Sequence, residues 1–247
     1  MITTAILAAF LAFCRIGGCF LFMPGIASVR VPVQVRLFVA VAASLALLAH
    51  MWDVIAPHVS RSPDGLFLLI VSELLTGALI GLVARFYLLA LQFIGTATAM
   101  MIGFGNPGGT AIEEEEPQPT LGVIISLSAL MLLFLLDFHH EIVRALIASY
   151  RVAPIEGLFD AQSALIDLTD TISQSFFLVL RLGSPFIAYA ILVNLATGFI
   201  NKLTPQIPIY FISMPFVIVG GLILIYFGIG SMLSLFADGF APVALGR

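Results

Sequence analysis

Charge is what this sequence has least of. Only 10% of its 247 residues are Asp, Glu, Lys or Arg, against about 25% in ordinary soluble domains. Hydrophobic residues make up 61%, and the mean hydropathy is +1.14. These values exclude a water-soluble globule and place the chain among membrane proteins. Also missing is any polar stretch long enough to form the surface of a second domain, so one helical domain over residues 1–247 is expected. Basic patches interleaved with aromatics are absent, which sets nucleic acid aside as a partner. The first basic residue, Arg15, lies inside the first apolar run. No positively charged leader precedes it, and the first segment reads as retained.

Cysteine is scarce too. Cys14 and Cys19 are five residues apart, on different faces of a helix, with no histidine near enough to complete a metal site; they read as two small buried residues. The group DFHHE, Asp137 to Glu141, holds two imidazoles, but His139 and His140 are adjacent and point about 100° apart on a helix. It also lacks the HExxH spacing. No nucleophile elbow or phosphate-binding glycine loop occurs, and Ser126 and Ser128 sit in an apolar helix with no base. No catalytic residue, cofactor or metal is expected.

What the sequence has in abundance is long apolar runs. A membrane-crossing helix needs roughly 20 apolar residues, and such runs extend over Ala5 to Met23, Val33 to Met51, Leu66 to Ala84 and Phe86 to Phe104. After an acidic interruption come Leu121 to Phe138, a more amphipathic continuation to Arg151, then Ile172 to Ile200 and Ile207 to Phe236. Proline and glycine clusters separate most of them. Strand-like alternation is missing, and the runs are too long for barrel strands. An all-α membrane protein follows. Alternate threading puts Arg30, Arg36, Arg85, Arg144 and Arg151 on one side, and Arg61, Lys202 and the acidic run on the other, which assigns that run to the non-cytoplasmic side.

Four charges fall within or beside apolar runs: Arg15, Glu73, Asp137 and Arg181. An unpaired charge at bilayer centre costs a few kcal/mol, so each needs a partner or a wet cavity. They are either interhelical ion pairs that fix packing or parts of a transport path. Gly77 and Gly81, in GALIG, have the spacing that lets helices approach closely.

The acidic interruption is GFGNPGGTAIEEEEPQPTLG. Its glutamates Glu113, Glu114, Glu115 and Glu116 admit three readings. They could keep a solvated turn out of lipid, bind a cation without defined coordination geometry, or keep the tip of a channel closure hydrated and self-repelling. In the last case Gly103, Gly105, Gly108 and Gly109, with Asn106 and Pro107 between them, allow backbone excursions. Met100, Met101 and Phe104 then give the stem deformable apolar contacts.

Four segments occur together and in order: PGIASVRVPVQVRLFVAVAASLAL, ELLTGALIGLVARFYLLALQFIG, LLFLLDFHHEIVRALIASYRVAPIEG and LVNLATGFINKLTPQIPIYFISMPF. Together they resemble the FliR family of flagellar biosynthesis and type III secretion over nearly the whole chain. The most specific pieces are VPVQVR, SYRVAP and NKLTPQ, with Pro24, Val31, Pro32, Arg36, Pro154, Asn201, Pro205 and Gln206 as family-motif positions. The resemblance implies a subunit of a protein-export gate in the bacterial inner membrane; it leaves a flagellum and an injectisome both open, and the flagellum is the reading taken forward. The resemblance implies assembly with FliP and FliQ homologues, with FlhB and FlhA nearby, and exported unfolded chains as cargo. It also implies a fold of hydrophobic helical hairpins, with FliP-like and FliQ-like parts fused in one chain and lifted out of the bilayer plane. Residues 103–120 match by position the loop that plugs the closed pore in that family. The competing reading is a small-solute or ion transporter, with Glu73, Asp137 and Arg181 lining a midplane site.

Overall fold

The computed structural model describes residues 2–28, 31–59, 63–104 and 120–244. Seven α-helices follow in order: α1 (Ile2–Phe22), α2 (Val33–Ile55), α3 (Pro63–Met101), α4 (Thr120–Leu135), α5 (Phe138–Val152), α6 (Ala161–Leu203) and α7 (Ile209–Ala244). No strand occurs among the described residues. Five helices are long and apolar enough to cross a membrane, or up to six if α4 and α5 count as one broken span.

Two expected features are corrected. The runs Leu66 to Ala84 and Phe86 to Phe104 are one helix, α3, of 39 residues. Arg85 does not mark a loop, because arginine is a good helix former and no proline or glycine lies between Gly81 and Gly95. The alternate threading that set Arg85 beside Arg30 and Arg36 therefore fails, and with it the side assigned to the acidic run. Helix α6 begins eleven residues before Ile172. The Asp160 carboxylate accepts from the Gln162 backbone N–H (3.0 Å) and the Ser163 hydroxyl, an N-cap that starts a helix with polar early turns.

The run from Leu121 breaks near its end. Asp137 has φ 55°, the one non-glycine residue with positive φ among those described; aspartate tolerates this conformation better than most residues. Helix α5 starts at the next residue. Gly25 (φ 86°) turns the chain after α1, and Pro32 stands at the N-cap of α2, with its fixed φ at −54°.

The chain forms two compact units. The first comprises Met1–Tyr87, Phe134–Ser173 and Phe240–Arg247. Its core joins Ala8, Leu11 and Ala12 of α1 to Met51 and Ile55 of α2, Leu69 of α3, and Tyr150 and Ile155. Helices α1 and α3 meet backbone to backbone: a Cβ on Gly77 would overlap the Arg15 carbonyl, one on Gly81 the Cys19 carbonyl, and one on Gly18 the Leu74 carbonyl. The Gly77–Arg15 and Gly81–Cys19 contacts are four residues apart along both helices, one turn on each. Cys14 and Cys19 are free and buried.

The second unit comprises Leu88–Leu133 and Gln174–Gly239. Ile94 on α3 fills the space a Cβ on Gly183 of α6 would occupy, and Ile102 fills that of Gly221 on α7. The Tyr189 hydroxyl donates to the Val217 carbonyl (2.7 Å), linking α6 to α7. Pro185 lies inside α6 and cannot donate to the Arg181 carbonyl one turn earlier; the Ser184 hydroxyl donates to it instead (3.0 Å), and the helix continues without a break.

Candidate functional site

Arg15 and Glu73 form the centre of the first unit. The Arg15 Nε and Nη2 donate to the two Glu73 carboxylate oxygens at 2.7 and 2.6 Å, and both side chains are 1% exposed. This bidentate fork is the strong form of the pair. The remaining donors reach α5: Nη1 donates to Ser149 Oγ (3.0 Å) and Nη2 to the Ala153 carbonyl (3.0 Å). Tyr150 covers the guanidinium with its ring, 3.7 Å from Cζ to the centroid. A buried charge is tolerated only when its hydrogen-bonding capacity is used and its counter-ion is close. Ser149, Tyr150 and Ala153 belong to SYRVAP, so that motif is the socket of a cation 134 residues away along the chain. Just beyond it, the Phe159 N–H donates to Ser72 Oγ (2.7 Å) and ties the α5–α6 connection to α3, one residue from Glu73.

The stem of the acidic loop lies in the second unit. Helix α3 closes with a reversal in which the Gly103 N–H donates to the Met100 carbonyl and the Phe104 N–H to the Ala99 carbonyl (2.8 Å). This requires positive φ at Gly103, which has 81°. Ile102 is fully buried in the Gly221 notch, whereas Met100 (60%) and Phe104 (41%) are exposed; Met101 is half-buried. The structure thus separates the stem into an anchored residue, which the sequence did not single out, and apolar side chains free to touch something else. Gly105, Asn106, Pro107, Gly108, Gly109 and Glu113, Glu114, Glu115 and Glu116 lie outside the described residues.

The family-motif residues fall at helix ends. Pro24 is buried in the turn after α1, and Val31 and Pro32 lead into α2. Arg36 donates back to the Ser28 carbonyl (3.1 Å). Pro154 follows α5. Asn201, Pro205 and Gln206 are exposed where α6 gives way to α7; there the Thr204 hydroxyl donates to the Ile200 carbonyl (2.9 Å). Of the other two charges within or beside apolar runs, Asp137 is exposed at the head of α5, beside His140. Arg181 is exposed on an otherwise apolar groove of about 250 Å³ between α6 and α7, lined by Leu182, Phe186, Leu224 and Phe227.

Much of the surface of α6 and α7 is apolar and is left uncovered by the other described residues. Phe177 (68%), Phe211 (80%), Phe216 (76%) and Phe227 (77%) are exposed. Within its most hydrophobic window α7 is 11% buried, against 50% for α1. At 1.5 Å per residue α6 is about 65 Å long and α3 about 58 Å, against a hydrocarbon core of about 30 Å. Both helices are longer than that core is thick.

Comparison with known proteins places these features in context. Residues 6–243 match the family described as bacterial export proteins, family 1. A flagellar biosynthetic protein FliR from Caulobacter vibrioides is 27% identical over 230 residues, 93% of this chain and 91% of the relative. The FliR of Bacillus subtilis is 23% identical over 212 residues, 84% and 80% of the two chains. That of Escherichia coli is 26% identical over 154 residues, 62% and 59%.

Proposed function

Because the chain belongs to the bacterial export proteins, family 1, the family of FliR, we propose that it forms part of the channel through which unfolded flagellar proteins cross the inner membrane. It is a membrane-inserted component of the flagellar export apparatus. In the proposed gate it packs with FliP and FliQ homologues, with FlhB and FlhA nearby, and its own helices act as one FliP-like and FliQ-like hairpin assembly over 1–247. The observation that carries this reading is the uncovered apolar surface of α6 and α7 on helices longer than a bilayer is thick. Such surface calls for protein partners, and a hetero-oligomer lifted partly out of the membrane plane supplies them.

In this reading residues 103–120 plug the closed channel. The stem supports it: Ile102 holds the end of α3 against α7 while Met100 and Phe104 offer exposed apolar contacts. An exported chain displaces the plug, and Glu113 to Glu116 govern ion passage. The transporter reading loses its first residue, because Glu73 is committed to Arg15.

Purification of the tagged chain in mild detergent, with mass spectrometry of what copurifies, tests the assembly. FliP and FliQ homologues in one large complex support it, and a monodisperse particle without them, from cells that express them, refutes it. Deleting Gly108 to Glu116 tests the plug: ion leakage rises in a complex that still assembles, and unchanged leakage rules the plug out.

A further inference from the structure

The break between α4 and α5 brings together three side chains that their spacing in the sequence appeared to keep apart. Ligand atoms of Asp137, His139 and His140 all lie within 4.8 Å of one another. The His139 and His140 rings are 4.2 Å apart between centroids. The 100° between adjacent helical residues fixes only the Cα–Cβ directions; side-chain rotation at the first turn of α5 does the rest. Asp137, in its left-handed conformation, places its carboxylate 3.3 Å from His140 Nδ1.

That distance is compatible with shared metal ligation. The pair meets the distance of an exposed i,i+3 ion pair, and the same separation fits two ligands of a tetrahedral zinc ion, each about 2.0–2.1 Å from the metal and so about 3.3 Å apart. An independent observation concerns the third residue: His139 Nδ1 is buried and has no hydrogen-bond partner among the described residues, although a buried ring nitrogen ordinarily has one. The Phe134 ring, 5.9 Å from that of His139, forms an apolar flank. Two imidazoles and one carboxylate suit zinc, nickel or copper rather than magnesium or calcium, which prefer all-oxygen shells.

We propose that Asp137, His139 and His140 form an exchangeable site for a divalent transition-metal ion of the zinc class. With three protein ligands and Asp137 and His140 largely exposed, water completes the coordination, and the ion exchanges with solution rather than acting as a permanent structural centre. When bound, it joins the residue before α5 to the first turn of that helix and pins the break.

The test uses the detergent-solubilised export complex containing the full chain, titrated with zinc in competition with a chromogenic chelator, and with cobalt for its visible absorption. The expected result is one zinc equivalent per chain beyond that taken up by a His139→Gln/His140→Gln complex, no competition from magnesium, and at least about tenfold weaker binding for either single histidine variant. Asp137→Asn, which keeps the size and left-handed tolerance of that position, gives the same weakening without disturbing the turn. Equal zinc uptake by the parent and the double variant, both copurifying with the same partners, overturns the proposal, as does zinc binding that magnesium displaces.

Discussion

The Tyr150 ring lies 3.7 Å from Arg15 Cζ, covering a guanidinium whose edge is held by Glu73, Ser149 and the Ala153 carbonyl. One cation thereby joins α1, α3 and α5. In a chain so poor in charge, this group converts three greasy helices, which could otherwise slide and rotate against each other, into one register.

Removing either partner of that pair leaves the other buried and uncompensated. Arg15→Ala or Glu73→Ala lowers stability by roughly 3–5 kcal/mol, whereas Arg15→Met with Glu73→Leu recovers most of the loss. Thermal unfolding of the purified complex followed by size-exclusion profile measures this. A single variant as stable as the parent contradicts the packing account.

Glycine substitutions separate backbone collisions from side-chain ones. Gly77→Ala meets the Arg15 carbonyl, which cannot swing away, and costs about 1–3 kcal/mol or more. Gly221→Ala meets both the Cβ and the Cγ2 of Ile102; adding Ile102→Ala removes the Cγ2 collision but keeps the Cβ one, so it relieves only part of the cost. Gly228→Ala, with nothing within 4 Å of the added carbon, costs nothing and gains about 0.5–1 kcal/mol of helix propensity inside α7. A double-mutant cycle over Gly221 and Ile102 measures the coupling, and strict additivity would disprove the notch.

Ser72→Ala removes the acceptor for the Phe159 N–H. Leaving that partly buried donor unsatisfied costs roughly 1–3 kcal/mol. The loss is expected as faster hydrogen exchange at Phe159, with the α1–α3 contact unaffected.

The cap of α6 depends on pH. The Ser163 hydroxyl and the Gln162 N–H hold the Asp160 carboxyl below the ordinary carboxylate range. Because the folded value is the lower one, the cap's contribution is present above the unfolded pKa of about 3.9 and is lost as pH falls through the folded value. Asp160→Asn keeps a capping side chain without this titration. Protection factors at the first turn of α6, compared between near-neutral and acidic pH, fall in the parent and stay level in the variant.

The helices were legible because apolar runs of this length have few alternatives, and Gly77 and Gly81 announced a close approach one turn apart. The joining of two runs at Arg85 was hidden because hydropathy registers a charge as an interruption while the backbone does not. The polar start of α6 carried no apolar signal, and only its Asp160 cap marks it. Arg15 and Glu73 were visible as charges in need of partners, yet nothing in the order of residues pairs two groups 58 positions apart. SYRVAP was recognisable as a pattern but not as a socket. The Gly221 notch for Ile102 was missed; the Gly220–Gly221 pair inside an apolar run was the available clue.

For the cell, the bare face of α7 is a matter of timing. In the proposed assembly, this surface meets only lipid between synthesis and docking, and an orphan chain would carry it as a mark for quality control. Under that proposal the steady-state amount of the chain depends on how many partners await it rather than on how fast it is made.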